Sequence, residues 1–363
     1  MELQNTADNG DKAYDELNQP LKGVSLWLDA WRRLRKNKMA MAGLILIAVY
    51  MVTSLAAPLL PIYSYKQQVL EHQYLPPSTR TAGELLYEKQ AYFAQALADK
   101  EGRELTQAEK DRLAALKTEL AGQTKVLLTG EEVKVNDRIY YLGTDSLGRD
   151  LLARIIYGGQ VSILIGLIGA LTSVFIGVVM GALSGYIGGR FDAFMMRFVD
   201  IMYSLPYMLL VIIFMSMFGK NLANLFFALA IVSWLTVCRV VRGQIISLKN
   251  SEFVEAAKAS GAGTFRIVFR HLVPNTAGVI VIYTTLRVPT FIMLEAFLSY
   301  LGLGVQAPFT SWGVLIQDGV TAMVTYPWLL WFPALVMSVF MFSMNFFGDG
   351  LRDALDPQSK NKM

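Results

Sequence analysis

Six long apolar blocks alternate with polar segments along the chain. A helix of about 20 residues, rising ~1.5 Å per residue, crosses the ~30 Å hydrocarbon core of a bilayer, and each block meets that length. The ten-residue alternating segments typical of membrane β-barrels are absent from the sequence. The pattern therefore predicts an all-α membrane protein with six transmembrane helices, at roughly Met39–Leu60, Val161–Ile187, Phe198–Phe218, Leu222–Val241, Ala277–Leu298 and Pro327–Phe347.

Basic residues mark the ends of these blocks unevenly. One cluster, Trp31–Lys38, precedes the first block, and a second lies between Arg239 and Arg270, whereas Tyr300–Tyr326 contains no Lys or Arg. The positive-inside rule then predicts that the N-terminus and the loop 242–276 face the cytoplasm. Six crossings return the C-terminus to the same side. We expect cytoplasmic tails at 1–38, disordered over Met1–Gln19, and at 351–363, on either side of a first helix at 39–60 and a core at 141–350.

About 80 residues, 61–140, separate the first two blocks and are predicted to form an extracytoplasmic insertion. Gly83–Ala98 and Thr106–Ala121 have helical patterns broken at Asp99–Gly102. Thr106 followed by Glu109 fits a capping box. The sequence favours a small helical hairpin here, and a solvated, partly ordered insertion stays open as the alternative.

Composition excludes several classes of function. The 363 residues are 54% hydrophobic and 17% charged, with a net charge of only +4, which does not suggest nucleic-acid binding. A single cysteine permits no internal disulfide, and with two distant histidines it makes a zinc or haem site improbable, so no metal site is expected. The one Gly-Lys pair, Gly219–Lys220, is followed by Asn221, so no phosphate-binding loop is present and any ATP hydrolysis belongs to another polypeptide. No catalytic constellation stands out, so the chain is not expected to be an enzyme.

The most informative polar segment is Asn250–Asn275. Ser251 is placed to cap a short helix that carries Glu252 and Glu255 in its first turn, and Gly261 is a natural stop. One narrow face of that helix carries mostly small side chains, at Phe253, Ala256, Ala257 and Ser260. A second short helix places Phe265, Val268, Phe269 and Leu272 on one face, and Pro274 closes it. The spacing fits docking into a partner's groove and, equally, an amphipathic loop resting on the membrane.

The segment Glu255-Ala256-Ala257, then Gly261, then His271-Leu-Val-Pro274 resembles the EAA signature of bacterial ABC-importer permeases. Three further segments, 142–154, 197–206 and 298–313, resemble the dipeptide, oligopeptide and nickel branch of that group. The likeness covers roughly Trp31–Pro61 and Leu142–Asp356 and is most similar to the second permease of the pair. The insertion at 61–140 is longer than that family pattern.

This resemblance implies a type I importer fold in the bacterial inner membrane. It implies a heterodimer with a homologous sister permease, two ABC ATPase subunits that bind ATP and Mg²⁺, and an extracytoplasmic solute-binding protein. It also implies a non-enzymatic chain that binds no cofactor itself. The residues expected to couple to the ATPase are Glu252, Phe253, Glu255, Ala256, Ala257, Ser260, Gly261, Phe265, His271 and Pro274.

Charges inside apolar blocks need a reason, because burying them in lipid is unfavourable. Arg197 and Asp200, three residues apart, are expected to form a structural ion pair. Arg287 and Glu295 are expected to face the partner subunit or the aqueous path, with Met293 as a further pathway residue; snorkelling or pairing with the sister permease is the alternative.

Two further expectations concern the start of the core and the class of transporter. Residues 142–156 have an apolar face opposite Arg149, Asp150 and Arg154, which favours an interfacial helix on the outer leaflet. A secondary transporter predicts repeat symmetry between two halves, which the sequence lacks. Among solutes, di- or oligopeptides lead, with nickel chelates and modified peptides as alternatives.

Overall fold

The computed structural model describes residues 26–126, 130 and 132–355. The predicted disordered tail Met1–Gln19 and residues 356–363 lie outside the described residues. The helices are α1 (Leu26–Lys36), α2 (Lys38–Leu55), α3 (Ala82–Lys100), α4 (Gln107–Gly122), α5 (Leu151–Ile187), α6 (Gly189–Ser204), α7 (Tyr207–Phe218), α8 (Leu222–Leu248), α9 (Glu252–Ala259), α10 (Ala277–Tyr300), α11 (Trp312–Ala322) and α12 (Trp328–Leu355). Two short strands, β1 (Thr124–Val126) and β2 (Glu132–Lys134), pair antiparallel.

Five of these helices, α2, α5, α8, α10 and α12, are long and apolar enough to cross a membrane. The third apolar block, predicted as one helix over Phe198–Phe218, is instead two helices, α6 and α7, bent by 82° at Leu205–Pro206. Pro206 has no N–H to continue the ladder and disfavours helical geometry in the residue before it. The described residues hold six spans if this bent pair counts as one.

The 37-residue helix α5 is the centre of the bundle, and its glycines allow neighbouring backbones to approach closely. A Cβ added at Gly181 would lie 2.3 Å from the carbonyl oxygen of Cys238 in α8, and one at Gly169 would lie 2.7 Å from the Phe291 ring in α10. Small residues at such crossings are the usual device of membrane helix packing. The glycines of the second apolar block therefore pack the bundle together.

We call the end where α2 finishes and α5 begins the insertion end, and the opposite end of α5 and α8 the loop end. At the insertion end the predicted interfacial helix over 142–156 is wrong. Residues 142–150 form turns, and α5 starts at Leu151, where the Asp150 carboxylate accepts hydrogen bonds from the N–H groups of Leu152 and Ala153. Leu151 is buried against the neighbouring helices rather than facing lipid, so the amphipathic pattern reflected packing within the chain.

The predicted helical hairpin is present in the insertion as α3 and α4. Each helix begins with a complete capping box, Thr81 with Glu84 and Thr106 with Glu109, and Arg103 pairs with Glu109 at the hairpin turn. At its base lies the buried side chain of His72. The hairpin is therefore an ordered part of the chain, and the Asn136 amide joins its second helix to the segment that leads to the bundle, by hydrogen bonds to Leu120 and Gln123.

Two helices were not predicted, α1 in the N-terminal tail and α11. The short α11 lies at the insertion end, packed between α10 and α12, and only 11 residues long. Ser311 caps it, accepting a hydrogen bond from the N–H of Val314 (3.1 Å). Because it is too short to span a bilayer, a search for 20-residue apolar blocks passes over it.

Candidate functional site

The small-residue face predicted on loop 242–276 lies on α9 at the loop end of the bundle. Val254 is completely buried against the bundle and anchors one side of this helix. Phe253, Ala256 and Ser260, on the other side, are exposed. Ala257 lies between the two sides and packs partly against the chain's own core. The helix thus presents a shallow face of small side chains around one exposed aromatic ring.

The start and end of α9 are built from local backbone chemistry. Ser251 stands at the N-cap, but its hydroxyl donates to the carbonyl oxygen of Leu248 (2.6 Å), so the predicted side-chain cap is not formed. Glu252 and Glu255 lie in the first turn and are exposed, where they favour the positive end of the helix. Gly261 has φ +77°, the left-handed conformation that glycine adopts without strain. The predicted helix stop is confirmed in that respect.

The second half of the loop continues as helical turns over Thr264–Arg266, Ile267–Leu272 and Val273–Asn275, the middle one π-helical. The predicted apolar face divides in two. Val268 and Leu272 are buried in the bundle, whereas Phe265 is 71% exposed and its ring lies 4.5 Å from that of Phe269, centre to centre. His271 is half-buried and Pro274 is exposed. The predicted apolar face is therefore part of the core at Val268 and Leu272 and part of the exposed surface at Phe265.

An open concavity of 710 Å³ lies against the segment that follows α9. Its lining combines backbone, aromatic rings and two cationic side chains: Gly261, Gly263, Thr264, Phe265, Arg266, Phe269 and Arg270. The rim therefore offers an apolar ring with positive charge beside it, next to the small-residue face of α9. This arrangement can accept a partner surface that carries acidic groups.

A second candidate site is a half-open cavity of 250 Å³ on the side of the bundle, at the break between α6 and α7. Arg287, from α10, is the one charged side chain among its lining residues, and all of these belong to the described part of the chain. The others are hydroxyl-bearing or apolar: Met202, Tyr203, Leu205, Tyr207, Val232, Ser233, Leu235, Thr236, Thr290 and Leu294. Of the predicted pathway residues, only Arg287 lies here. Met293 is 57% exposed on α10 and does not line the cavity.

The prediction that Glu295 faces a partner or an aqueous path is wrong. Its side chain is fully buried, and Oε1 accepts hydrogen bonds from the hydroxyls of Ser299 (2.6 Å) and Ser311 (2.7 Å). Room for the carboxyl group exists because Gly313 has no side chain; a Cβ there would lie 3.0 Å from both carboxyl oxygens. Glu295 therefore joins α10 to the start of α11.

The predicted ion pair between Arg197 and Asp200 is also wrong. Asp200 pairs instead with Arg239 of α8 (2.5 Å), whose guanidinium lies over the ring of Tyr203. Residues three apart on one helix are neighbours, but a cation on an adjacent helix competes for the same carboxylate. Tyr203, in turn, shares a hydrogen bond with Thr236 (2.5 Å). The pair thus supports one wall of the Arg287 cavity.

The sequence analysis missed the hydroxyl-bearing residues of this cavity, which are Tyr203, Tyr207, Ser233, Thr236 and Thr290. The available signal was Pro206, because a proline inside an apolar block marks a broken helix, and broken helices in membranes line cavities.

The chain matches the family described as binding-protein-dependent transport system inner membrane component over residues 173–361, slightly more than half of its length. Residues 25–77 match the N-terminal TM domain of oligopeptide transport permease C.

Curated relatives cover nearly the whole chain. It is 39% identical to the dipeptide transport system permease protein DppC of Bacillus subtilis, over 95% of this chain and 89% of the relative. It is 37% identical to the oligopeptide transport system permease protein OppC of Haemophilus influenzae, over 98% and 97% of the two chains. It is also similar to a chain of an inward-facing MetNI methionine ABC transporter, 16% identical over 56% of this chain and 96% of that one, with a TM-score of 0.47.

The family models and the curated relatives confirm the resemblance to importer permeases. The described helices confirm the predicted helical membrane fold. The long apolar helices are those of an integral inner-membrane protein. The chain belongs to the family of binding-protein-dependent transport system inner membrane components.

Proposed function

We propose that this chain is one of two transmembrane subunits of an ATP-driven importer of di- or oligopeptides. The relatives named above are permeases of dipeptide and oligopeptide transport systems, and they align along almost the whole chain. A homologous sister permease, two ABC ATPase subunits carrying ATP and Mg²⁺, and an extracytoplasmic solute-binding protein complete the proposed complex. This chain supplies half of the pathway and no hydrolytic residue.

The observation that carries the coupling part of this proposal is the exposed face of α9. Phe253, Ala256 and Ser260 offer a low surface that a groove of an ATPase subunit can enclose, while Val254 fixes the helix to the bundle. Movement of that groove on ATP binding then reaches α5 and α8, against whose ends the loop packs. The orientation that fits places the loop end and both termini in the cytoplasm and the insertion outside.

Reconstitution tests the proposal directly. Proteoliposomes containing this chain, its sister permease and the two ATPase subunits should accumulate a labelled tripeptide only when ATP and the binding protein are both supplied. Leaving out this chain should abolish uptake. Uptake that persists without ATPase subunits and follows a proton gradient would contradict the proposal and indicate a secondary transporter.

A further inference from the structure

The Arg287 cavity has the chemistry of a carboxylate site. Within the described residues Arg287 takes part in no hydrogen bond or ion pair, although it lies in the middle of a membrane-spanning helix and is only partly exposed. A guanidinium at that depth is strongly unfavourable unless it meets an anion or water. Its five N–H donors suit the two oxygens of a carboxylate. The cation is therefore available to a ligand.

The hydroxyl groups around Arg287 add donors to the same space. Tyr203 and Thr236 share one hydrogen bond, which uses one of their two protons. The other proton is free to be donated into the cavity. A second hydroxyl pair, Tyr207 with Ser233 (3.4 Å), lies on the wall beside them, but Ser233 donates to the carbonyl oxygen of Leu229, so the Tyr207 proton is used on Ser233. The lining thus places one free hydroxyl proton and no competing carboxylate near the guanidinium.

The break between α6 and α7 also favours an anion in this cavity. Leu205 and Tyr207 line the cavity, so the first turn of α7 faces it, and no side chain caps that turn. The unpaired N–H groups of a helix start carry partial positive charge and favour anions. Broken membrane helices use such ends to hold anionic substrate groups. An ammonium group is disfavoured here for the same reason.

We propose that this cavity binds the C-terminal carboxylate of the transported peptide, with Arg287 as its principal contact. At 250 Å³ the cavity is smaller than the ~300–1,000 Å³ that encloses a whole drug-sized ligand. It therefore takes the end of a peptide, and the rest lies in the interface with the sister permease. This inference rests on the proposed function and adds to it a polarity: the peptide is held by its carboxyl end.

The test compares a labelled tripeptide with its C-terminal amide in proteoliposomes containing the complete transporter. The binding protein is the same in every arm, so its own preference cancels when variants are compared as the ratio of acid to amide uptake. In Arg287→Gln this ratio should fall about tenfold or more, since a charge-assisted two-point contact is lost. Arg287→Lys should retain part of it, because the charge remains without the planar fork. The matched control is Arg197→Gln, an exposed arginine outside the cavity, which should leave the ratio unchanged.

Each other outcome would overturn the inference. Equal slowing of both peptides would mean that Arg287 does not recognise the carboxylate. Loss of the sister permease on purification would mean that Arg287 serves assembly with that subunit. An unchanged ratio with normal uptake would remove the carboxylate site but leave the proposed function intact. Absence of uptake of either peptide by the unaltered transporter would overturn the proposed function itself, and the inference with it.

Discussion

Arg154 in α5 donates a hydrogen bond from Nη1 to Oδ2 of Asp318 in α11 (3.2 Å), although the two residues stand 164 positions apart in the chain. The same guanidinium lies 2.5 Å from Asp145, in the turns that precede α5. Arg154 and Asp145 are buried, whereas the Asp318 side chain is 45% exposed. One cation therefore joins the start of α5 to two other parts of the insertion end, and its two anionic partners differ in solvent access.

This difference predicts unequal effects of neutralising the two aspartates. Asp145→Asn leaves the buried Arg154 without its main countercharge and should destabilise the protein by about 3–5 kcal/mol, as is typical when one partner of a buried pair is removed. Asp318→Asn should cost less than about 1 kcal/mol, because water screens that partner. Thermal unfolding of the purified chain in mild detergent measures both. Equal effects would mean that Arg154 is not held chiefly by Asp145.

Glycine packing between α5 and α8 gives the second prediction. A Cβ at Gly181 would lie 2.3 Å from the Cys238 carbonyl oxygen, so Gly181→Ala must push the helices apart and should destabilise the chain by about 1–3 kcal/mol. At Gly243, which lies inside α8, an added Cβ has no neighbour among the described residues within 4 Å, apart from the adjacent turns of its own helix. Gly243→Ala should therefore be neutral or stabilise by up to about 1 kcal/mol. A destabilised Gly243 variant and an unaffected Gly181 variant would contradict this account of the crossing.

The base of the insertion contains a histidine whose tautomer the surrounding bonds determine. Asn136 Nδ2 donates to the carbonyl oxygen of Leu120 and to the side-chain oxygen of Gln123, so its Oδ1 faces His72. His72 must then donate from Nε2, and Nδ1 accepts from the Tyr140 hydroxyl (2.9 Å). A second proton on Nδ1 would oppose that bond. The neutral ring is therefore the form that fits.

The third prediction is that low pH destabilises the part of the insertion that surrounds His72. Burial lowers the pKa of His72 below its usual 6.5, and the nearby Arg138 acts in the same direction, while the hydrogen bond to Asn136 and the charge of Glu71 oppose it. Between the ordinary pKa and the lowered one the unfolded chain binds the extra proton and the folded chain does not. The His72 contribution to stability therefore falls as pH drops below about 6.5, by at most ~1.4 kcal/mol per pH unit for one proton. Burial raises the pKa of the Asp150 carboxyl to about 6, so Asp150 contributes with the opposite sign in this range, and the effect of His72 is the difference between the unaltered chain and its His72 variant.

Melting temperatures of the purified chain from pH 7.5 to 5 check this effect. His72→Gln should reduce the fall in melting temperature at low pH. His271→Gln, which changes a half-buried histidine at the other end of the bundle, should leave that fall unchanged. Glu71 pairs with Lys125, and its lowered pKa places its own titration below this window. If the melting temperature of His72→Gln falls at low pH as much as that of the unaltered chain, groups other than His72 cause the effect.

Local rules were sufficient for the parts of the fold that depend on neighbours in sequence. Block length indicated the spans, the Thr106–Glu109 spacing indicated the start of α4, and Gly261 indicated the end of α9. These features need no knowledge of the rest of the chain. The candidate face on α9 was predicted for the same reason.

Contacts between distant segments were beyond those rules. Asp200 pairs with Arg239 on another helix rather than with Arg197 on its own helix. Glu295 is buried because Ser311 donates a hydrogen bond to it and Gly313 leaves space for its carboxyl group. Whether a membrane charge faces a path or the protein interior depends on which helix lies beside it, and helix periodicity does not specify that. The start of α5 was misplaced because an apolar face at an interface resembles one in a core.

Topology is the fourth prediction. The native Cys238 is buried and should not react with polar thiol reagents, so single cysteines report their own side of the membrane. In Asn250→Cys, an exposed position before α9, labelling should occur only from the cytoplasmic side. In Thr118→Cys, exposed on α4, it should occur only from outside. Reaction of both from one side would exclude the proposed orientation.

The fifth prediction concerns coupling through α9. Ala256 is exposed at the centre of the small-residue face, so a bulky residue there leaves the fold intact but fills the space a partner groove would need. We expect Ala256→Trp to insert and to copurify with the sister permease, yet to bind ATPase subunits at least about tenfold more weakly or to hydrolyse ATP without peptide uptake. Uptake and hydrolysis measured in the same proteoliposomes distinguish these two failures.

The matched control places the same bulk elsewhere on the same helix. Lys258 projects on the side of Val254, and its ammonium group lies 5.9 Å from the centre of the Tyr186 ring in α5. Lys258→Trp can stack on Tyr186 without entering the exposed face, so transport and hydrolysis should stay near the unaltered values. If both variants fail alike, the defect comes from a general disturbance of the loop. If Ala256→Trp transports normally, the exposed face of α9 is not the surface through which ATP hydrolysis drives this permease.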